Sequence, residues 1–176
     1  MDTPIVSYED ARNYIKDGDV VFISKKKRLS ASIIRFFTHS NYSHVGFAFW
    51  AEIAGTRRLM MAEAQGGAKR RIVNMSFYKG IDLDIVKAPK DWSKMAPDAL
   101  DRLGEVRYGW LEALYVGFRE SILKTFGWML PEYDLPGEIC SEYCARLLDM
   151  PEMHISPQGL WEELIARGNE LRVQVR

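Results

Sequence analysis

Cysteine is scarce in this chain: 176 residues hold two, Cys140 and Cys144. Two cannot make the framework of a small secreted domain, and a pair one helical turn apart is poorly placed for a disulfide. An excess of charge is also missing, since 24 basic residues face 24 acidic ones. No global field then draws nucleic acid, and no nucleic-acid-binding motif is present. The only histidines are His39, His44 and His154, and none stands at zinc-site spacing from a cysteine. The opening "MDTPIVSYEDARNY" lacks a basic start followed by an apolar stretch, so no signal peptide is expected. The longest apolar region, Trp110 to Leu130, contains Glu112, Arg119, Glu120 and Lys124, which suits a bilayer span poorly. These absences predict a soluble, cytoplasmic protein that needs no metal or cofactor.

Apolar residues are plentiful: at 47% hydrophobic and 12% aromatic, residues 1–176 can build the core of one domain. Ser7 with Asp10 reads as a capping box, with Val6 and Ala11 as staple, opening a helix to about Lys16. "VVFI" from Val20 reads as a buried strand, and "SASIIRFFTHS" as a short helix. "HVGFAFW" (His44 to Trp50), "RLMMAEA" (Arg58 to Ala64), "RRIVNM" and "DLDIVKA" read as strands in close succession, which favours antiparallel neighbours. A helical region is expected from Pro97, another over Ile139 to Leu148, and a last one opened by Ser156 and Pro157. The fold class is α+β, a small antiparallel sheet packed with helices.

Cys140 follows Pro136 and Gly137 and falls in the first turn of its helix. Free backbone N–H groups and the helix dipole there favour negative charge, as on a thiolate or an oxyanion. Position alone leaves both a reactive thiol and a small core residue open. Cys144, deeper in the helix with Leu147 and Leu148, reads as core. A thiol nucleophile needs a base. His39 and His154 lie in polar connections, whereas His44 begins an otherwise apolar strand. If Trp50 pairs with Arg57, the antiparallel register runs through Ala48–Leu59 and Gly46–Met61 to His44–Glu63. Glu63 would then face His44, with Cβ atoms about 5 Å apart, and hold its tautomer.

Taken in order, "GDVVFIS", "YSHVGFAF", "MAEA", "ICSEYCARLL" and "ISPQGLWEEL" resemble the permuted papain-like cysteine hydrolases of the YaeF/YiiX type. These belong to the wider NlpC-like group. The resemblance spans about Asp17 to Leu164 and implies a circularly permuted papain-like (NlpC-like) fold, with the histidine strand before the cysteine helix. It implies Cys140 as nucleophile, His44 as base and Glu63 as orienting acid. "RYGWLEAL" stands where the family often has Gly-x-x-Tyr-Asp, matching Tyr108 but with Gly109 in place of the acid. Tyr108 is a candidate substrate-binding residue through that match, and Tyr42, just before Ser43 and His44, is a second one that would line the same mouth.

The implied activity is a thiol-dependent hydrolase, amidase- or peptidase-like, cleaving an amide or ester through a Cys140 thioester. Its partner would be a small-molecule, peptide or acyl substrate. Two other classes remain open. One is a lipid-acting phospholipase or acyltransferase of the lecithin:retinol acyltransferase type, with "KKKR" (Lys25 to Arg28) meeting an anionic lipid surface. The other is a non-catalytic binding or structural protein that retains the triad and uses the aromatic segment Tyr108 to Tyr133 as partner surface.

Overall fold

A computed structural model describes residues 3–24, 41–64, 70–101, 103–104, 115, 118–119, 122–123, 125–131, 139–151 and 155–176. The expected helix at "SASIIRFFTHS", the run Lys25 to Arg28, His39, His154 and Tyr108 fall outside those residues.

Among the described residues, seven strands form one sheet: β1 (Ile5–Val6), β2 (Val20–Ser24), β3 (Tyr42–Ile53), β4 (Thr56–Ala64), β5 (Arg70–Asn74), β6 (Leu83–Val86) and β7 (Leu171–Val175). Their order is β1-β7-β6-β2-β3-β4-β5. The α+β class holds, but the sheet is larger than expected and mixed, because β1 runs parallel to β7. Leu171, Val173 and Val175 alternate with polar residues, so β7 follows the period of a half-buried strand. It returns from the last helix to pair with β6.

Four helices are labelled here: α1 (Tyr8–Ala11), α2 (Trp92–Asp101), α3 (Cys140–Leu147) and α4 (Pro157–Ala166). Ser7 caps α1 by accepting from the Asp10 N–H, yet that helix is one turn long and ends well before Lys16. Pro97 lies inside α2 rather than at its start. Ser156 caps α4 through the Gly159 N–H, with Pro157 opening it. The sheet separates two apolar clusters. Val20, Phe22, Val45 and Phe47 meet α2, α3 and α4 through residues such as Ala99, Tyr143, Cys144, Leu160 and Leu164. On the other side Val21, Ile23, Ala48 and Met61 meet Tyr8, Met75 and Tyr78.

Two backbone details set the register around the site. Ile53 pairs with Thr56, so the β3–β4 hairpin turns on Ala54 and Gly55, both with positive φ (51° and 69°). Positive φ at both turn residues is the arrangement whose twist matches the flanking strands. Trp50 therefore opposes Leu59, and Ala48 opposes Met61, two residues from the expected pairing on β4. Then, between Ile23–His44 and Ser24–Tyr42, β3 advances by two residues while β2 advances by one. This bulge leaves Tyr42 and His44 on opposite faces, although simple alternation would put them together.

Alanine is a poor residue for a left-handed turn position, where asparagine is tolerated. Ala54→Asn should stabilise the fold by about 0.5–1 kcal/mol, read as a higher denaturation midpoint at unchanged m-value.

Candidate active site

Cys140 is the first residue of α3, and its side chain lies beside the His44 imidazole, close enough to act on its charge. Cys140 is only 3% exposed. The residue before it, Ile139, is the N-cap and has no side-chain oxygen to occupy the first-turn N–H groups. Glu142 partly compensates by accepting from the Ile139 N–H at 3.2 Å. Cys144, one turn on, is fully buried in the core, and neither cysteine forms a disulfide.

His44 comes from the β2 side of β3, opposite Ile23. Its Nε2–H donates to Glu63 Oε2 at 2.9 Å, and the ring is 12% exposed. The sequence placed these two side chains directly across from one another; the structure makes them diagonal neighbours. The contact survives because the register differs by an even number of residues, which keeps both on one face of the sheet. Continuing the observed register sets Gly46 opposite Glu63. A Cβ on Gly46 would lie 3.2 Å from Glu63 Cβ, 2.5 Å from Met61 Cε and 2.6 Å from the Ala62 carbonyl oxygen. Glycine at this position is what lets β4 and the Glu63 side chain come so close.

Glu63 is completely buried, and it is held by more than the histidine. Arg71, its direct partner on β5, donates Nε to Oε1 at 2.7 Å. The Tyr78 hydroxyl donates to Oε2 at 2.5 Å from the 3-10 turn Met75–Tyr78 that follows β5. Burial disfavours the Glu63 charge, but His44, Tyr78 and Arg71 outweigh it and hold the carboxyl below its usual range. Burial likewise opposes a charged His44, yet Cys140 and Glu63 prevail and the imidazole is pushed up to about 10. Tyr78 moves upward, through burial and then the neighbouring Glu63 charge.

Three of the candidate residues, Cys140, His44 and Glu63, thus form a connected chain of side chains. Tyr42 is placed differently. It is buried, its hydroxyl donates to Asp84 Oδ2 at 2.5 Å, and its ring packs against Phe22 and Trp161. The bulge beside Ser43 is the reason it faces away from His44 and Glu63. Arg71 and Tyr78 were not singled out as site residues from the sequence, where Arg71 stood only in the expected strand "RRIVNM". The available signal was Glu63 itself: an acid between two alanines on an inner strand must find donors.

No protein-family model matches the chain, and no curated protein matches it. Among solved structures it is similar to the metalloprotein yiiX from Escherichia coli O157:H7, at 17% sequence identity and a TM-score of 0.40. The match covers 68% of this chain and 71% of that one. Among the described residues, no group of three His, Cys, Asp or Glu side chains is placed to hold a metal ion. No helix among them is long and apolar enough to cross a membrane.

Two measurements check this geometry. Nitrogen-15 NMR at pH 8 should find His44 still a charged imidazolium, and Glu63→Gln should bring its titration down. Gly46→Ala should destabilise the fold by about 1–3 kcal/mol, because one obstacle is backbone and cannot swing aside. It should also separate Glu63 from His44, seen as a lower His44 titration in the same spectra.

Proposed function

We propose that this chain is a thiol hydrolase of the permuted papain-like kind, cleaving an amide or ester bond through a covalent thioester on Cys140. The observation that carries the reading is the connected sequence of sulfur, imidazole and carboxylate, with the sulfur at the start of a helix. Nucleophile, base and orienting acid in hydrogen-bond contact is the geometry by which such sites are recognised.

The Nε2 nitrogen of His44 is committed to Glu63, which leaves Nδ1 to face the sulfur. The thiol proton already rests on His44 in a thiolate–imidazolium pair, and the thiolate sulfur bonds to the substrate's carbonyl carbon. The developing oxyanion lies against the first-turn N–H groups of α3, where the helix dipole favours it. As the tetrahedral species collapses, the bond from carbon to the leaving nitrogen or oxygen breaks, and His44 returns the proton to that atom. Water then adds to the thioester while His44 accepts its proton. The carbon–sulfur bond breaks, the acid departs, and the thiolate–imidazolium pair is restored. Glu63 fixes the ring and stabilises its charge without taking the proton itself.

A second reading, the same acyl chemistry on a lipid, is favoured by one surface feature. Phe118, Leu123, Phe126, Trp128 and Met129 are all exposed, the last two at 69% and 75%. Gly127, at φ 69°, donates its N–H to the Leu123 carbonyl and turns the chain toward Trp128 and Met129. Tryptophan and other large apolar groups left exposed close together in sequence suit a lipid headgroup boundary.

Trapping the acyl-enzyme separates the readings. The protein is incubated with a mixed library of soluble amides, soluble esters and vesicle-borne lipid esters, and the Cys140 peptide is then weighed. An adduct from the soluble compounds supports the amidase or esterase, and one from vesicles alone supports the lipid enzyme. Cys140→Ser should lower turnover by about 1000-fold or more. Unchanged turnover in that variant, or no adduct from any class, sinks both.

A further inference from the structure

We infer that Tyr78 and Arg71 are positioning residues, which clamp the Glu63 carboxylate from two sides so that its Oε2 stays aimed at His44 Nε2. The inference rests on the hydrolase reading above and goes beyond it, to residues outside the triad.

A glutamate side chain has three torsions, and a single bond to His44 does not fix them. Glu63 is held at both oxygens instead. Arg71 occupies Oε1 from β5, and Tyr78 shares Oε2 with His44 from the 3-10 turn. These donors stand on backbone that is itself pinned. Arg71 pairs with Glu63 in the β4–β5 ladder. Asn74 caps the 3-10 turn by accepting from the Ser76 N–H at 2.9 Å. Met75 and Tyr78 are buried in the second apolar cluster. The Arg71 guanidinium lies 5.7 Å from the centre of the Phe77 ring, a contact that steadies its plane.

The Tyr78 ring lies 6.4 Å from the His44 ring, centre to centre, so it also walls the imidazole on one side. A hydroxyl and a guanidinium act differently here. The tyrosine constrains the oxygen that His44 uses. The arginine neutralises the carboxylate's other end, so that the buried charge is not left to the histidine alone. If the two served only to satisfy a buried acid, their loss would cost stability and leave the chemistry of the sulfur untouched. If they position Glu63, their loss loosens its hold on the imidazolium, and the sulfur must then ionise against a less stable partner.

The test is the rate of Cys140 alkylation by iodoacetamide against pH, in the full chain, with the modified residue mapped by mass to separate it from Cys144. Tyr78→Phe removes one hydroxyl and keeps the ring. It should move the acid limb of the profile to higher pH and slow the neutral-pH reaction about 2- to 10-fold, the equivalent of one hydrogen bond. Arg71→Lys keeps the cation but loses the Nε geometry, and it should shift the limb the same way. This second variant carries the test if Tyr78→Phe does not fold. A limb that stays in place while the melting temperature falls would assign the pair a purely structural role and overturn the inference. So would a limb that moves to lower pH. Wild-type Cys140 reacting no faster than a free thiol is a separate result, which strikes the hydrolase reading itself.

Discussion

A carboxylate with no solvent contact organises this part of the molecule. Removing such a group from water costs several kcal/mol unless charge and hydrogen bonds replace the lost hydration. Glu63 meets that demand by drawing donors from three separate pieces of chain: His44 on β3, Arg71 on β5 and Tyr78 on the following 3-10 turn. The strands beside β4 are thereby tied to it by side chains as well as by their ladders. The acid that orients the histidine is therefore also part of what holds the sheet edge together. Under the proposed function, stability and chemistry share this one group, which sets the same side-chain geometry for both.

The sulfur reaches this cluster by a different route. α3 packs its apolar residues Tyr143, Cys144, Ala145 and Leu147 into the core between the sheet and the other helices. Ser141 ties the helix start to the Ile155 carbonyl, just before α4 begins. With its body buried on so many sides, α3 can place its first residue firmly without a side-chain cap at Ile139. The first-turn amides left by that apolar cap are the groups an oxyanion would meet. Rigidity at Cys140 thus comes from helix packing and rigidity at His44 from the carboxylate network. The approach of sulfur to imidazole joins two independently supported elements.

Much of the fold could be read from local pattern. β2, β3, β4, β5 and β6 lie where apolar, β-branched and aromatic residues cluster, and α4 begins at its Ser-Pro signal. Register was harder. It hangs on which residues take the hairpin turn, and Ala54 is not a residue that advertises a positive φ. The resulting displacement was even, so the facing of Glu63 came out right while its partner across the ladder did not. Tyr42 shows the opposite case: one extra residue in β3 reversed its face. A bulge of this kind depends on how β2 and β3 meet and leaves little trace in the residues themselves.

By itself the sequence determined the chemical types available: one thiol at a helix start, one histidine opening an apolar strand, and one acid among alanines. Composition and periodicity fix such things, because they depend on neighbours a few residues away. Only the tertiary structure decided which side chains meet. It made His44 and Glu63 diagonal partners across the gap left by Gly46, turned Tyr42 toward Asp84, and recruited Arg71 and Tyr78. Those choices depend on strand register and on the charge balance of a buried carboxylate, and both are settled only when distant segments pack together.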